Sequence, residues 1–199
     1  MIRQLADPAN AITATGLVLS IVGVAFALSG RLEAGVAIVL WALLADHLDG
    51  VVAKRTQNRD PRTGEVGKNL DSLVDLVSAG IFPGVTLMVA GDHSIPTVAI
   101  AIILAVASAL RLSYFNVFGS PGGRFIGVPT TYVLPVTAIV FLLRPILPAD
   151  AFVPVFAAAL VVLAVCHVLP IRVPKTAGAM YAVITLFCIV SSALLIVRP

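Results

Sequence analysis

The chain has 199 residues, 59% hydrophobic and only 12% charged, with a mean hydropathy of +1.06 and a formal net charge of +3. Soluble domains carry about 25% charged residues, so this composition excludes a soluble enzyme and leaves no room for a soluble module beside the apolar bulk. With no basic stripe along the chain, nucleic-acid binding is excluded as well.

Apolar runs near 20 residues recur from end to end, each able to cross about 30 Å of hydrocarbon. The reading in chain order is seven spans, near 11–29, 34–53, 71–90, 95–115, 129–147, 151–170 and 177–197. The first is too long, and too weakly flanked by positive charge, for a cleaved signal peptide. The expectation is a single domain over 1–199: an all-α, polytopic integral membrane helix bundle. It has a six-helix core and a seventh, C-terminal span packed outside. Cys166 and Cys188 fall inside spans, without metal-ligand spacing, and read as small core residues.

Charge placement sets the orientation. With the N-terminus cytoplasmic, Arg3, Lys54, Arg55, Arg59, Arg62, Lys68, Arg111, Arg124, Arg172 and Lys175 fall on the cytoplasmic side, against Arg31, Arg144 and Arg198 opposite. That asymmetry obeys the positive-inside rule. These bases also attract anionic lipid.

Four aspartates sit in or at the edges of the second and third spans: Asp46, Asp49, Asp71 and Asp75. An Asp at the centre of a membrane helix costs roughly 2.5–3.5 kcal/mol, so such residues read as functional. Asp46 and Asp49 are three apart, Asp71 and Asp75 four apart, so each pair shares one helix face. The two helices are consecutive and antiparallel, which puts both pairs at similar depth near the cytoplasmic surface. Unpaired, the carboxylates would repel one another. One or two divalent cations remove that conflict and can clamp the oxygens of a phosphoryl displacement. Mg²⁺ and Mn²⁺ suit an all-oxygen site. Gly50, Ala53 and Gly67 keep bulk away from the helix surfaces nearby, letting a base or a pyrophosphate approach; close packing of membrane helices is the alternative use of such residues.

The pattern D-x2-D-G-x2-A … G-x3-D-x3-D resembles the signature of the CDP-alcohol phosphatidyltransferases. Asp46, Asp49, Gly50, Ala53, Gly67, Asp71 and Asp75 match it, while Lys54 stands at its arginine position with Arg55 alongside. The gap to Gly67 is four residues longer than in the signature. The loop Thr56–Val66, with its Asp-Pro and Thr-Gly turn signals, is expected to absorb that insertion. The resemblance implies two divalent cations, Mg²⁺ or Mn²⁺, on Asp46, Asp49, Asp71 and Asp75, with Asp75 also the general base. It implies that Gly50, Ala53 and Gly67 line the CDP site, with Lys54 or Arg55 beside the phosphates. Ala9–Thr13 is similar to the family's entry into its first helix, adding Asn10 and Thr13 as candidate nucleotide contacts. Thr13 could otherwise be a helix cap.

Three further stretches are similar to the phosphatidylserine synthase branch: Leu70–Ser78, Arg111–Asn116 and Phe125–Pro129. This resemblance runs from about residue 9 to 175 and omits the last span. It implies CDP-diacylglycerol as donor and L-serine as acceptor, with phosphatidylserine and CMP as products. A guanidinium grips a carboxylate with two hydrogen bonds, so Arg111 and then Arg124 are the acceptor candidates, and Asn116 could orient the ammonium. Ala79, and Phe82 just before Pro83, depart from the branch, so inositol phosphate or glycerol phosphate stays open as acceptor. A homodimer in a bacterial or archaeal cell membrane, its site facing the cytoplasm, is implied by resemblance and charge. Transport of divalent cations or protons is the distant alternative. It fits poorly, because transporter carboxylates tend to sit at the bilayer midplane between internal repeats.

Of the rest, His47 and Trp41 read as packing residues, His93 as exposed in a turn, and His167 as a donor to backbone or lipid. Pro129 and Pro135 are expected to end or kink the start of the fifth span.

Overall fold

In the computed structural model, described over residues 1–56, 59–174 and 178–197, eight α-helices form the bundle. Lys175 and Arg198, part of the charge asymmetry, lie outside the described residues.

Helix α1 (Pro8–Leu28) opens on Asp7, whose carboxylate accepts from the Asn10 amide at 3.0 Å, with Pro8 at the first helical position. That pairing of an acidic cap with a proline behind it starts helices efficiently. Helix α2 (Leu32–Arg55) returns antiparallel, after a turn through Gly30 at φ +80°. The two rods touch backbone to backbone: a Cβ at Gly35 would lie 2.9 Å from the Gly23 carbonyl oxygen. Small residues permit such crossings where lipid gives no hydrophobic drive to helix association.

Helix α3 (Pro61–Asp75) begins ten residues before the expected span. The loop foreseen over Thr56–Val66 is therefore mostly helix, a correction with a clear cause. Asp60 caps the helix by accepting from the Arg62 amide at 3.2 Å and Pro61 is its first residue. Asp-Pro is a start signal here rather than a turn, and Thr63-Gly64 lies inside the helix. A π-helical turn, Leu76–Ile81, joins α3 to α4 (Phe82–Ala90) as one rod of 30 residues, Pro61–Ala90. Pro83 has no N–H for the carbonyl four residues back, and a widened turn accommodates that loss.

Helix α5 (Ile95–Phe118) follows a turn at Asp92 and His93, both at positive φ. Helices α6 (Val133–Leu143) and α7 (Phe152–Val168) come next, with a 3₁₀ turn at Thr130–Tyr132 leading into α6. Two short strands that the sequence did not suggest, β1 (Arg124–Ile126) and β2 (Arg172–Pro174), pair antiparallel with Phe125 opposite Val173. Helix α8 (Ala179–Val197) closes the order.

Among the described residues, five helices are long and apolar enough to span a bilayer, and two shorter apolar ones cover Thr130–Ile146 and Phe152–Val168. The protein is an all-α polytopic membrane protein. Its core centres on Phe82, Phe141 and Phe156, all buried, with the Phe141 ring edge-on to Phe152 and Phe156 at 5.1 and 5.4 Å. α8 packs on α2, and the Ser192 hydroxyl donates to the Ala37 carbonyl at 3.1 Å. Trp41, expected to pack, is instead 47% exposed on the outer surface of α2.

The alternation of helix directions brings the ends of α2, α5 and α7 together with the starts of α3, α6 and α8. At the opposite end Arg144 pairs with Glu33.

Candidate active site

α2 carries Asp46 and Asp49 one turn apart, and α3 brings Asp71 and Asp75 to the same level. One oxygen from each of Asp46, Asp49 and Asp71 lies within 4.8 Å of the others. Asp75 lines the same cleft, of about 400 Å³, and accepts from the Thr130 hydroxyl at 3.5 Å. Thr13 reaches across from α1 to donate to Asp49. It is not a cap: it lies in the second turn of α1 and also contacts the Ala9 carbonyl at 3.0 Å.

Nδ1 of His47 lies 3.6 Å from a carboxylate oxygen of Asp46. Charge of this density on apolar helices calls for a cation. Three converging carboxylates without a nitrogen or sulfur donor in the group fit a hard divalent ion such as Mg²⁺ or Mn²⁺. His47 is occupied elsewhere: its Nδ1 is 2.7 Å from the Leu43 carbonyl oxygen and its ring meets Tyr181 edge-on at 5.5 Å.

Arg111 lines the same cleft, 7% exposed, its guanidinium 5.2 and 5.4 Å from the ring centres of Phe115 and Phe125. Both rings line the cleft. Such stacking orients a guanidinium while leaving its edge free for a carboxylate.

The remaining candidates divide. Gly50 and Lys54 are in the cleft wall, and a Cβ on Gly50 would meet nothing within 4 Å. Ala53 and Arg55 are not in that wall, so of the two adjacent bases Lys54 is the one the fold directs to the cleft. Asn10 and Gly67 meet each other beside it. The Asn10 side chain donates to the Gln4 carbonyl at 3.2 Å and accepts from Arg59 at 2.8 Å. A Cβ on Gly67 would collide with that Asn10 side chain and come within 2.9 Å of the Arg59 guanidinium. Arg59 also grips Asp7 through two bonds of 3.0 and 2.9 Å, tying the segment before α3 to the start of α1.

Of the acceptor candidates, Arg111 alone lines the cleft. Asn116 accepts from the Ser72 hydroxyl at 3.1 Å, and its carbonyl accepts from Lys68 at 2.9 Å, so it joins α5 to α3. Arg124 is exposed on β1. Ser72, Thr130, Thr131, Tyr132 and Tyr181 line the cleft without having been singled out from the sequence. Ser72 sits beside Asp71, and Thr130 directly follows the Phe125–Pro129 stretch, so adjacency could have found both. Nothing in the order of residues marks Tyr181, which α8 brings in from the far end of the chain.

The chain is 35% identical over 113 residues to an archaetidylserine synthase from Methanothermobacter thermautotrophicus, covering 56% of this chain and 46% of that protein. It is 27% identical over 122 residues to the CDP-diacylglycerol–serine O-phosphatidyltransferase of Bacillus subtilis, covering 60% and 67%. The protein of that name from Mycobacterium leprae is 30% identical over 128 residues, covering 60% and 41%. The matches thus span between 41% and 67% of the length of these relatives. The sequence model of the CDP-alcohol phosphatidyltransferase family matches residues 7–198, so the match runs through α8. With that match over nearly the whole chain and its aspartates converging from α2 and α3, the protein belongs to the CDP-alcohol phosphatidyltransferase family.

Proposed function

We propose that the protein transfers a phosphatidyl group from CDP-diacylglycerol to the hydroxyl of L-serine, forming phosphatidylserine and releasing CMP. The observation that carries this reading is the single cleft in which converging carboxylates face one buried arginine. Relatives named for serine transfer support the choice of acceptor. So does the cleft's charge. Among the described residues its wall holds Arg111 and Lys54, while Arg124 is not part of it, and a phosphorylated acceptor would call for more converging bases.

Asp46, Asp49, Asp71 and Asp75 would hold two divalent cations, which when bound offset the charge of the CDP pyrophosphate. Gly50 leaves room for that group against α2, and Lys54 adds positive charge where CMP departs. Arg111 takes the serine carboxylate and so aims the hydroxyl toward Asp75. Asp75 accepts the hydroxyl proton as the serine oxygen bonds to the phosphorus carrying diacylglycerol. The phosphoanhydride bond then breaks and CMP leaves with its electron pair. Thr130 holds Asp75 in place for that transfer. The charge asymmetry of the chain supports a cytoplasmic cleft, and the protein acts as a homodimer.

The test is an acceptor screen with purified protein, CDP-diacylglycerol, Mg²⁺ or Mn²⁺, and labelled serine, inositol phosphate or glycerol phosphate. Cation-dependent phosphatidylserine with stoichiometric CMP is expected. Lipid product from another acceptor alone overturns the serine assignment, and cation flux without CMP release overturns the transferase reading.

A further inference from the structure

Behind the cleft, between α5, β1 and the end of α7, lies a second hollow of about 410 Å³. Arg111 lines both hollows, and His167 lines the second. Arg111 is 7% and His167 2% exposed. Each has one buried nitrogen, Nε of Arg111 and Nε2 of His167, without a hydrogen-bond partner among the described residues.

Their chemistry is complementary. Nδ1 of His167 lies 2.9 Å from the Val128 carbonyl oxygen. A carbonyl only accepts, so Nδ1 carries the hydrogen, and in the neutral ring Nε2 presents a lone pair. Arg Nε–H can only donate. Leu110, Ile126, Val168 and Leu169 supply apolar walls around the two, and the Tyr114 ring lies against Phe118 at 4.4 Å. Leaving a buried donor and a buried acceptor unmet is costly, so closing this pair is favoured. The ring's anchor is also stiff. The Val128 amide donates to the Cys166 carbonyl at 3.0 Å, and the Gly127 amide to that of Ile171 at 2.8 Å.

We infer that His167 is a positioning residue for Arg111, its Nε2 accepting from the Arg111 Nε–H directly or through one water. Val128, His167 and Arg111 then form a relay from the Phe125–Pro129 stretch to the cleft. It fixes the guanidinium plane through Nε and leaves the terminal nitrogens to grip a carboxylate. This rests on the reading of Arg111 as the site for the acceptor carboxylate.

Two substitutions separate positioning from mere support. His167→Gln offers an oxygen near the Nε2 position but gives up the bond to Val128, whereas His167→Asn keeps a donor for Val128 and loses the acceptor. Steady-state kinetics of the full chain in lipid–detergent micelles should show His167→Asn raising KM for serine about tenfold, with KM for CDP-diacylglycerol within about twofold. His167→Gln should stay markedly closer to the parent. Asn at parental KM, or Asn and Gln indistinguishable, overturns the relay. Size-exclusion profiles identify a variant that fails to fold, and the other then decides alone: Gln must retain serine affinity, or Asn must lose it. Arg111→Ala is the control. If it leaves KM for serine unchanged, the acceptor-site reading falls and the relay with it. If it raises that KM while the His167 variants do not, the relay falls alone.

Discussion

The hydroxyl of Thr13, on α1, donates to the carboxylate of Asp49, on α2. A residue that the sequence could equally have made a helix cap is thereby tied to the acidic cluster. Thr13→Val keeps the shape and removes the donor. A hydrogen bond to a charged group is worth about 1.5–3 kcal/mol, so activity should fall about tenfold or more and a higher Mg²⁺ or Mn²⁺ concentration should be needed for half-maximal rate. A cation titration of CMP release checks this. An unaltered titration would mean that the bond has no part in holding Asp49.

The two carboxylates of α3 should respond differently to loss of charge. Asp71→Asn removes one of three converging oxygen donors, and turnover should be abolished together with cation-dependent binding of CDP-lipid. Asp75→Asn should lower kcat by about 10²–10⁴-fold, the usual worth of a general base, while sparing CDP-lipid binding more than catalysis. Equal loss of binding and rate in Asp75→Asn removes the argument for a base.

Asp7 and Arg59 supply a pH signature outside the membrane. Burial pushes the Asp7 carboxyl up, but the Arg59 guanidinium and the Asn10 amide outweigh it and hold the group below its ordinary value of 3.8. A carboxylate with a lowered folded-state pKa adds stability that is complete above the unfolded value and lost as pH falls through the folded one. Asp7→Asn keeps a capping side chain and loses the ion pair. The difference in melting temperature between parent and variant should be level from about pH 5 to 8 and shrink below 3.8. A difference that grows on acidification contradicts the assignment.

Gly127 sits at φ +76°, and a Cβ there would strike the His167 carbonyl oxygen. Gly127→Ala combines left-handed strain, about 1–3 kcal/mol, with a backbone collision that no rotamer relieves. It should lower thermal stability and raise KM for serine, since the displaced segment is the one that anchors His167. Parental stability in Gly127→Ala would show that the loop can move aside.

Much of the site is legible in the sequence. Asp46 with Asp49 and Asp71 with Asp75 have helical spacing, and consecutive antiparallel spans must place them at similar depth. What sequence misjudged was the start of α3, because Asp60-Pro61 serves equally as a turn or as a cap with a first-turn proline. The pairing of β1 with β2, and the π-helical turn after Asp75, depend on distant strands and on how Pro83 is accommodated within a packed rod.

By itself the sequence determined the membrane class, the span order and the acidic motif, since these follow from local composition and helical periodicity. Only the tertiary structure decided which polar groups share a cleft. It drew Arg111 in and left Asn116 and Arg124 out of the wall, set Lys54 there in place of Arg55, and brought Tyr181 across from α8. The physical reason is that a side chain's partners are set by how helices cross, and crossings are fixed by small residues and backbone contacts far from the groups they bring together.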